Sequence, residues 1–168
     1  RTGCAAVGVD SPAGGSGQPA GGTATVTVTG LGDQNQVYEF TENAFLDSNS
    51  SIVMNSGTGN DTFTFDNTQT ISVNSINAND GNDTFNFDQP IIAIVDGGSG
   101  EDTFNFNAPV GVFASGGSDS DIFNINPGAE FGSGNTINGD GGADVFNFNS
   151  DFNPTDDASI ILSGDNGN

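Results

Sequence analysis

The sequence predicts an all-β fold, a parallel β-solenoid of the β-roll or β-helix kind, with about six coils and a period of about 19–25 residues. Three observations carry that prediction. Nine of the 14 Phe fall in one recurring motif (acidic residue, any residue, Phe, polar residue, apolar residue), which opens at Asp61, Asp83, Asp102, Asp121 and Asp144. A Gly-rich or acidic turn precedes each copy: GTGN, NDGN, GSGE, GSDS and GDGGA in chain order. A second apolar stretch, such as ISVNSI, PIIAIV or PVGVFA, separates successive copies, so one repeat reads as two short strands and two turns.

Residues 1–22 are Gly, Ala, Ser and Pro without a period and read as a flexible linker. Residues 23–56 read as an N-terminal cap and a degenerate first coil. TATVTVT alternates Thr with apolar residues, and GLGDQNQVYEF sets Gln36 where the motif has Asp, and Tyr38 and Phe40 where it has the paired aromatics. TENAFL fits either one helical turn or an irregular cap. Residues 57–168 read as the repeats proper, ending in SIILSGDNGN, the second strand and Gly-rich turn of another coil, with the C-terminal end of the stack open.

Alternation places Phe63, Phe85, Phe104, Phe123 and Phe146 on one face with Phe65, Phe87, Phe106, Ile125 and Phe148, and sets Thr and Asn on the other. No helical period competes with this pattern. A single coil cannot bury two large side chains, but stacked coils cover one another at a rise of about 4.8 Å. Aromatic burial alone does not offset the cost of ordering so Gly-rich a chain, so a further stabilising term is expected.

The charge balance removes whole classes of function. With 22 acidic residues against one Arg or Lys, the net charge of −21 repels DNA, RNA and anionic lipid. No His is present and Arg1 is the only basic side chain, so there is no imidazole base, no Lys nucleophile and no cation for an anionic substrate. The chain is therefore expected not to be an enzyme; clustered Asp in longer β-helices can cleave sugars, but here the carboxylates are better explained as ion ligands. Cys4 has no partner for an internal disulfide, and no apolar run approaches the roughly 18 residues of a membrane helix. A lipid anchor on Cys4 would suit the Gly/Ser/Pro stretch behind it, though Arg1 stands where an aliphatic residue is expected.

In-register stacking puts Asp61, Asp83, Asp102, Asp121 and Asp144 in one file along an edge, with neighbouring carboxylates about 5 Å apart. Like charges at that distance repel by about 3 kcal/mol at an effective dielectric of 20. A hard divalent cation from solution relieves this, because carboxylate oxygens and exposed Gly-turn carbonyls are the ligands Ca²⁺ takes. Without His or a second Cys, zinc, copper and iron are poor fits. The bland reading is that Asp and Gly are only turn formers, but turn preference does not place Asp at one position five times.

The stretch Gly97, Gly98, Ser99, Gly100, Glu101, Asp102, Thr103, Phe104, Asn105 resembles the nonapeptide G-G-x-G-x-D-x-U-x of the RTX repeats, the calcium-binding β-rolls of secreted bacterial proteins, and GTGNDTFTF at 57–65 resembles it nearly as closely. The resemblance covers about residues 55–150. It implies several Ca²⁺ ions between successive turns, held by Asp61, Asp83, Asp102, Asp121 and Asp144 and by turn residues Gly57, Gly59, Asn60, Asp80, Gly98, Gly100, Gly116, Asp119, Asp140 and Gly142. In that family both edges carry such turns. Here the second edge lacks the glycines, so calcium is expected along one edge only.

The outward file Thr64, Asn86, Asn105, Asn124, Asn147 is expected to form an amide ladder beside Thr62, Thr84, Thr103, Ile122 and Val145. A flat Thr and Asn face gives the alternative function, an ice-binding or ligand-binding adhesin domain. The leading expectation is an extracellular, secreted or cell-surface structural repeat protein of bacterial type: a surface fibre, stalk or adhesin segment folded by calcium, with self-association into filaments as a further expectation and neither nucleic acid nor direct membrane insertion among its partners.

Overall fold

The computed structural model describes residues 3–4, 25–30, 33–41, 51–66, 71–149 and 160–164. Fourteen strands follow in chain order: β1 (Gly3–Cys4), β2 (Thr25–Thr29), β3 (Gln36–Thr41), β4 (Ser51–Thr58), β5 (Thr62–Asp66), β6 (Ile71–Asp80), β7 (Thr84–Phe87), β8 (Ile91–Ser99), β9 (Thr103–Phe106), β10 (Val110–Ser118), β11 (Ile122–Ile125), β12 (Asn135–Asp140), β13 (Val145–Phe148) and β14 (Ile160–Ser163). They form two seven-stranded sheets, one in the order β1-β3-β5-β7-β9-β11-β13 and the other β14-β12-β10-β8-β6-β4-β2. Every pairing is parallel, and the chain changes sheet from each of β2 to β13 to the next, so the fold is the parallel β-solenoid the repeats predict. No helix occurs among the described residues.

Register follows the motif residue for residue. Phe63 pairs with Phe85, Phe85 with Phe104, Phe104 with Phe123 and Phe123 with Phe146. Tyr38 pairs with Phe63 one strand earlier, which identifies the Gln36 segment as the degenerate copy. The six rings stack at centroid separations of 4.8, 5.0, 4.6, 4.7 and 4.9 Å, interplanar angles staying at or below 14°. Offset stacking at this spacing adds to the burial each ring already supplies. A second file, Phe65, Phe87 and Phe106, runs beside it at 5.7 and 5.2 Å. Where the repeat substitutes Ile125 for Phe, Phe131 from the connection before β12 lies edge-on to Phe106 at 5.4 Å. Ile52, Met54, Ile76, Val95 and Ile137 close the core from the opposite sheet.

The outer face of the short-strand sheet carries the expected ladder. Asn86 Nδ2 donates to Thr64 Oγ1, Asn105 to Asn86, Asn124 to Asn105 and Asn147 to Asn124, over 2.8–3.3 Å. A second ladder, not anticipated from the sequence, runs from Asn149 through Asn126 and Asn107 to the carboxylate of Asp88. On the outer face of the long-strand sheet, Ile92, Ile94, Phe113 and Ile161 stand more than half exposed.

Of the stretch read as linker, only Gly3 and Cys4 are among the described residues. Gly3 and Cys4 pair in parallel with Gln36 and Val37, extending the short-strand sheet by one rung. The remainder of residues 1–22 lies outside the described residues, as do TENAFL beyond Thr41 and the final Gly-rich turn beyond Gly164.

Candidate metal centre

Each long strand leads into a turn of common shape. The second residue of the turn, Gly57, Asn79, Gly98, Gly117 or Asp140, has a positive φ between 63° and 131° in every copy. Asn and Asp tolerate this conformation better than other side chains, which explains why Asn79 and Asp140 replace Gly without breaking the repeat. The turn backbones then stack tightly: a Cβ on Gly98 would meet the carbonyl oxygen of Asn79 at 1.9 Å, and one on Gly117 that of Gly98 at 2.1 Å.

The turn aims the motif aspartate inward. Asp61, Asp83, Asp102 and Asp121 are at most 1% exposed, while Asp144 on the last rung is half-buried. One oxygen of each is satisfied from the rung before: Oδ1 of Asp61, Asp83, Asp102, Asp121 and Asp144 accepts the backbone N–H of Gln36, Asp61, Asp83, Asp102 and Asp121 at 2.7, 2.6, 2.8, 2.8 and 3.0 Å. The protein thus supplies its own donors for half of the file, where the sequence suggested relief from solution alone. The other oxygen, Oδ2, is buried without a hydrogen-bond partner in all five.

Burial has the consequence expected of a charge removed from water. It drives the Asp83 carboxyl up to about 7, Asp102 to about 8 and Asp121 to about 7, with neighbouring carboxylates adding to the rise and the capped amides opposing it. Burial also raises Asp61. At the N-terminal end Gln36 stops the file with a neutral side chain. It donates from Nε2 to the Ser56 carbonyl and accepts from the Tyr38 hydroxyl, which burial and the nearby Asp61 and Asp83 push up to about 12.

The other sequence-predicted ligands divide. Gly98 and Gly116 lie in the stacked turns beside the file, Gly116 directing its carbonyl toward Gly97; Gly57, Gly59, Gly100 and Gly142 line the same edge. Asn60 turns its Oδ1 to the Asn82 amide at 3.0 Å, and Asp119 accepts from the Gly100 amide at 3.2 Å. Asp140 faces outward, taking bonds from Ser115 Oγ and Asn138 Nδ2, and Asp80 is exposed. Among the described residues no three Asp, Glu, Cys or His side chains gather into a ready-made metal cluster, so any ion here takes turn carbonyls as well.

Gly97 and Gly139 were not singled out as site residues from the sequence. A Cβ on Gly97 would lie 2.2 Å from Asp102 Oδ2, one on Gly116 2.1 Å from Asp121 Oδ2, and one on Gly139 2.1 Å from Asp144 Oδ2. The missing side chains make room for the unpartnered oxygens. The signal was present as the first Gly of GGSGED and GGSDSD and the Gly of GDGGAD, five residues ahead of each Asp.

Comparison with protein-family models, with curated proteins and with solved structures returned no match in any of the three.

Proposed function

We propose that this chain is an extracellular calcium-binding structural repeat protein, a surface-fibre, stalk or adhesin segment, in which Ca²⁺ between successive Gly/Asp turns neutralises the buried aspartates and rigidifies the solenoid. The observation that carries the reading is the row of buried, unpartnered Oδ2 atoms on Asp61, Asp83, Asp102, Asp121 and Asp144. An unsatisfied buried acceptor costs about 1–3 kcal/mol, and an unpaired charge more.

Capping the stacked amides does not require that cost. One residue away, Asn35 accepts the Asn60 amide, Asn60 the Asn82 amide and Asn82 the Glu101 amide, at 3.0–3.2 Å and with no charge. Asn at the motif position would serve equally well for capping. Where glycine leaves room beside it, as at Asp102 and Asp121, a carboxylate is explained by a cation that uses the second oxygen, and the described chain holds no basic side chain to provide one. The donor set of carboxylate and carbonyl oxygens in glycine turns suits a hard ion, and Ca²⁺, with six to eight oxygen ligands and tolerance for irregular geometry, suits it better than Mg²⁺. When bound, the ion supplies positive charge and coordination to the orphaned oxygens, and binding the folded state alone stabilises it by mass action.

Extracellular calcium near the millimolar range would then fold the chain where it functions. Isothermal titration of EDTA-stripped protein with CaCl₂ and with MgCl₂ tests the reading. Saturable heat with Ca²⁺ and little with Mg²⁺ is expected; no binding of either would remove it.

A further inference from the structure

We propose that a rung accepts a cation only where the residue five places before its aspartate is glycine and the carbonyl of the next rung faces that glycine. The lane then loads at the Asp102 and Asp121 rungs, is closed at Asp61 and Asp83, and is incomplete at Asp144, where the three atoms nearest a Cβ on Gly139 all belong to Asp144 itself. This inference rests on the calcium reading and adds to it an assignment of individual rungs.

Parallel register puts Ser56, Ala78, Gly97, Gly116 and Gly139 in one file, each five residues ahead of its aspartate. At Gly97 two oxygens converge on the space a side chain would take: Asp102 Oδ2 lies 2.2 Å from the position of a Cβ, and the Gly116 carbonyl 2.5 Å from it. At Gly116 the same pair recurs, with Asp121 Oδ2 at 2.1 Å and the Gly139 carbonyl at 2.9 Å. Both aspartates are fully buried and their Oδ2 atoms lack a partner, so each rung presents a carboxylate and a carbonyl oxygen to one glycine-lined space.

The first two rungs fill that space with protein. Ser56 is fully buried there, and its hydroxyl donates to the Ala78 carbonyl at 2.7 Å, occupying the counterpart of the carbonyl that Gly116 and Gly139 leave open. Ala78, also fully buried, holds in the Asp83 rung the file position that Gly97 holds in the next, and brings a methyl group to it. A methyl group offers no lone pair and excludes a hydrated or coordinated ion. The solenoid is accordingly divided into a first half closed by its own side chains and a second half that depends on cation.

Native mass spectrometry of the EDTA-stripped full chain, titrated with CaCl₂, reads the number of ions directly. The wild type is expected to take one ion at each of the Asp102 and Asp121 rungs, Ala78→Gly one more than wild type, and Gly97→Ala one fewer. Because Gly97→Ala sets a Cβ against two oxygens, its folding is checked by circular dichroism in the same buffer; Ala78→Gly removes only one methyl and keeps the test decisive. A wild type that loads calcium while Ala78→Gly shows an unchanged count overturns the rung assignment alone. A wild type that takes no calcium overturns the underlying reading, and the rung assignment with it.

Discussion

The two edges of the solenoid solve the same stacking problem with different chemistry. At the glycine-turn edge, every rung repeats one backbone shape, and a buried carboxylate bridges to the amide of the rung before. At the opposite edge the connections differ in length and sequence, and the rungs are tied by neutral amides from Asn149 to Asn126 to Asn107, ending on Asp88. The second edge shows that stacking needs no buried charge. The first carries it nonetheless, and leaves one oxygen of each carboxylate unused. The difference is the ground for proposing ion chemistry at the aspartate edge and a structural role alone at the amide edge.

The largest separation of the two edges is expected from pH. Unfolded aspartate titrates near 3.8, while burial raises Asp83, Asp102 and Asp121 to about 7, 8 and 7. The folded chain therefore binds more protons than the unfolded one between these values. Its stability in EDTA is fully present below about pH 4 and is lost as pH rises through 7 to 8. Thermal melts from pH 4 to pH 9 check this, and added Ca²⁺ should flatten the loss at the alkaline end.

Breaking the core that both edges share comes next. Phe104 is fully buried between Phe85 at 4.6 Å and Phe123 at 4.7 Å. Its replacement by Ala should cost about 3–5 kcal/mol in denaturant unfolding. At the aspartate edge, Asp102→Ala strands the buried Asp83 amide and should cost about 1–3 kcal/mol at pH 5. Asp102→Asn keeps an oxygen for that amide. In EDTA at pH 8 it should melt at or above the wild type, yet gain less from calcium. The smallest effect belongs to the other edge: Asn107→Ala should cost about 0.5–1.5 kcal/mol, equally with and without calcium.

Much of this architecture was legible in the sequence because repetition makes contact predictable. Once Phe63, Phe85 and Phe104 share a motif position, parallel stacking pairs them, and Thr64, Asn86, Asn105, Asn124 and Asn147 align on the reverse face. The aspartate file was legible for the same reason. Its internal geometry was not, since a sequence does not distinguish the oxygen that caps an amide from the one left alone; that depends on the offset between successive turns. The value of Gly97 and Gly139 was hidden likewise, because a missing Cβ matters only once the neighbouring carboxylate is placed. Features outside the repeat left no periodic signal: Phe131 resting on Phe106, the two-residue strand Gly3–Cys4, and the exposed strip of Ile92, Ile94 and Phe113.

Far-UV circular dichroism with thermal melting at pH 8, in EDTA and then across added Ca²⁺ with Mg²⁺ as control, tests the central claim most directly. Buried aspartates that await a cation predict a weakly ordered or low-melting chain in EDTA, which becomes a cooperative, high-melting β structure with Ca²⁺ at or below millimolar concentration and changes little with Mg²⁺. A β spectrum and melting temperature indifferent to calcium would contradict it, and would reduce the aspartate file to turn chemistry.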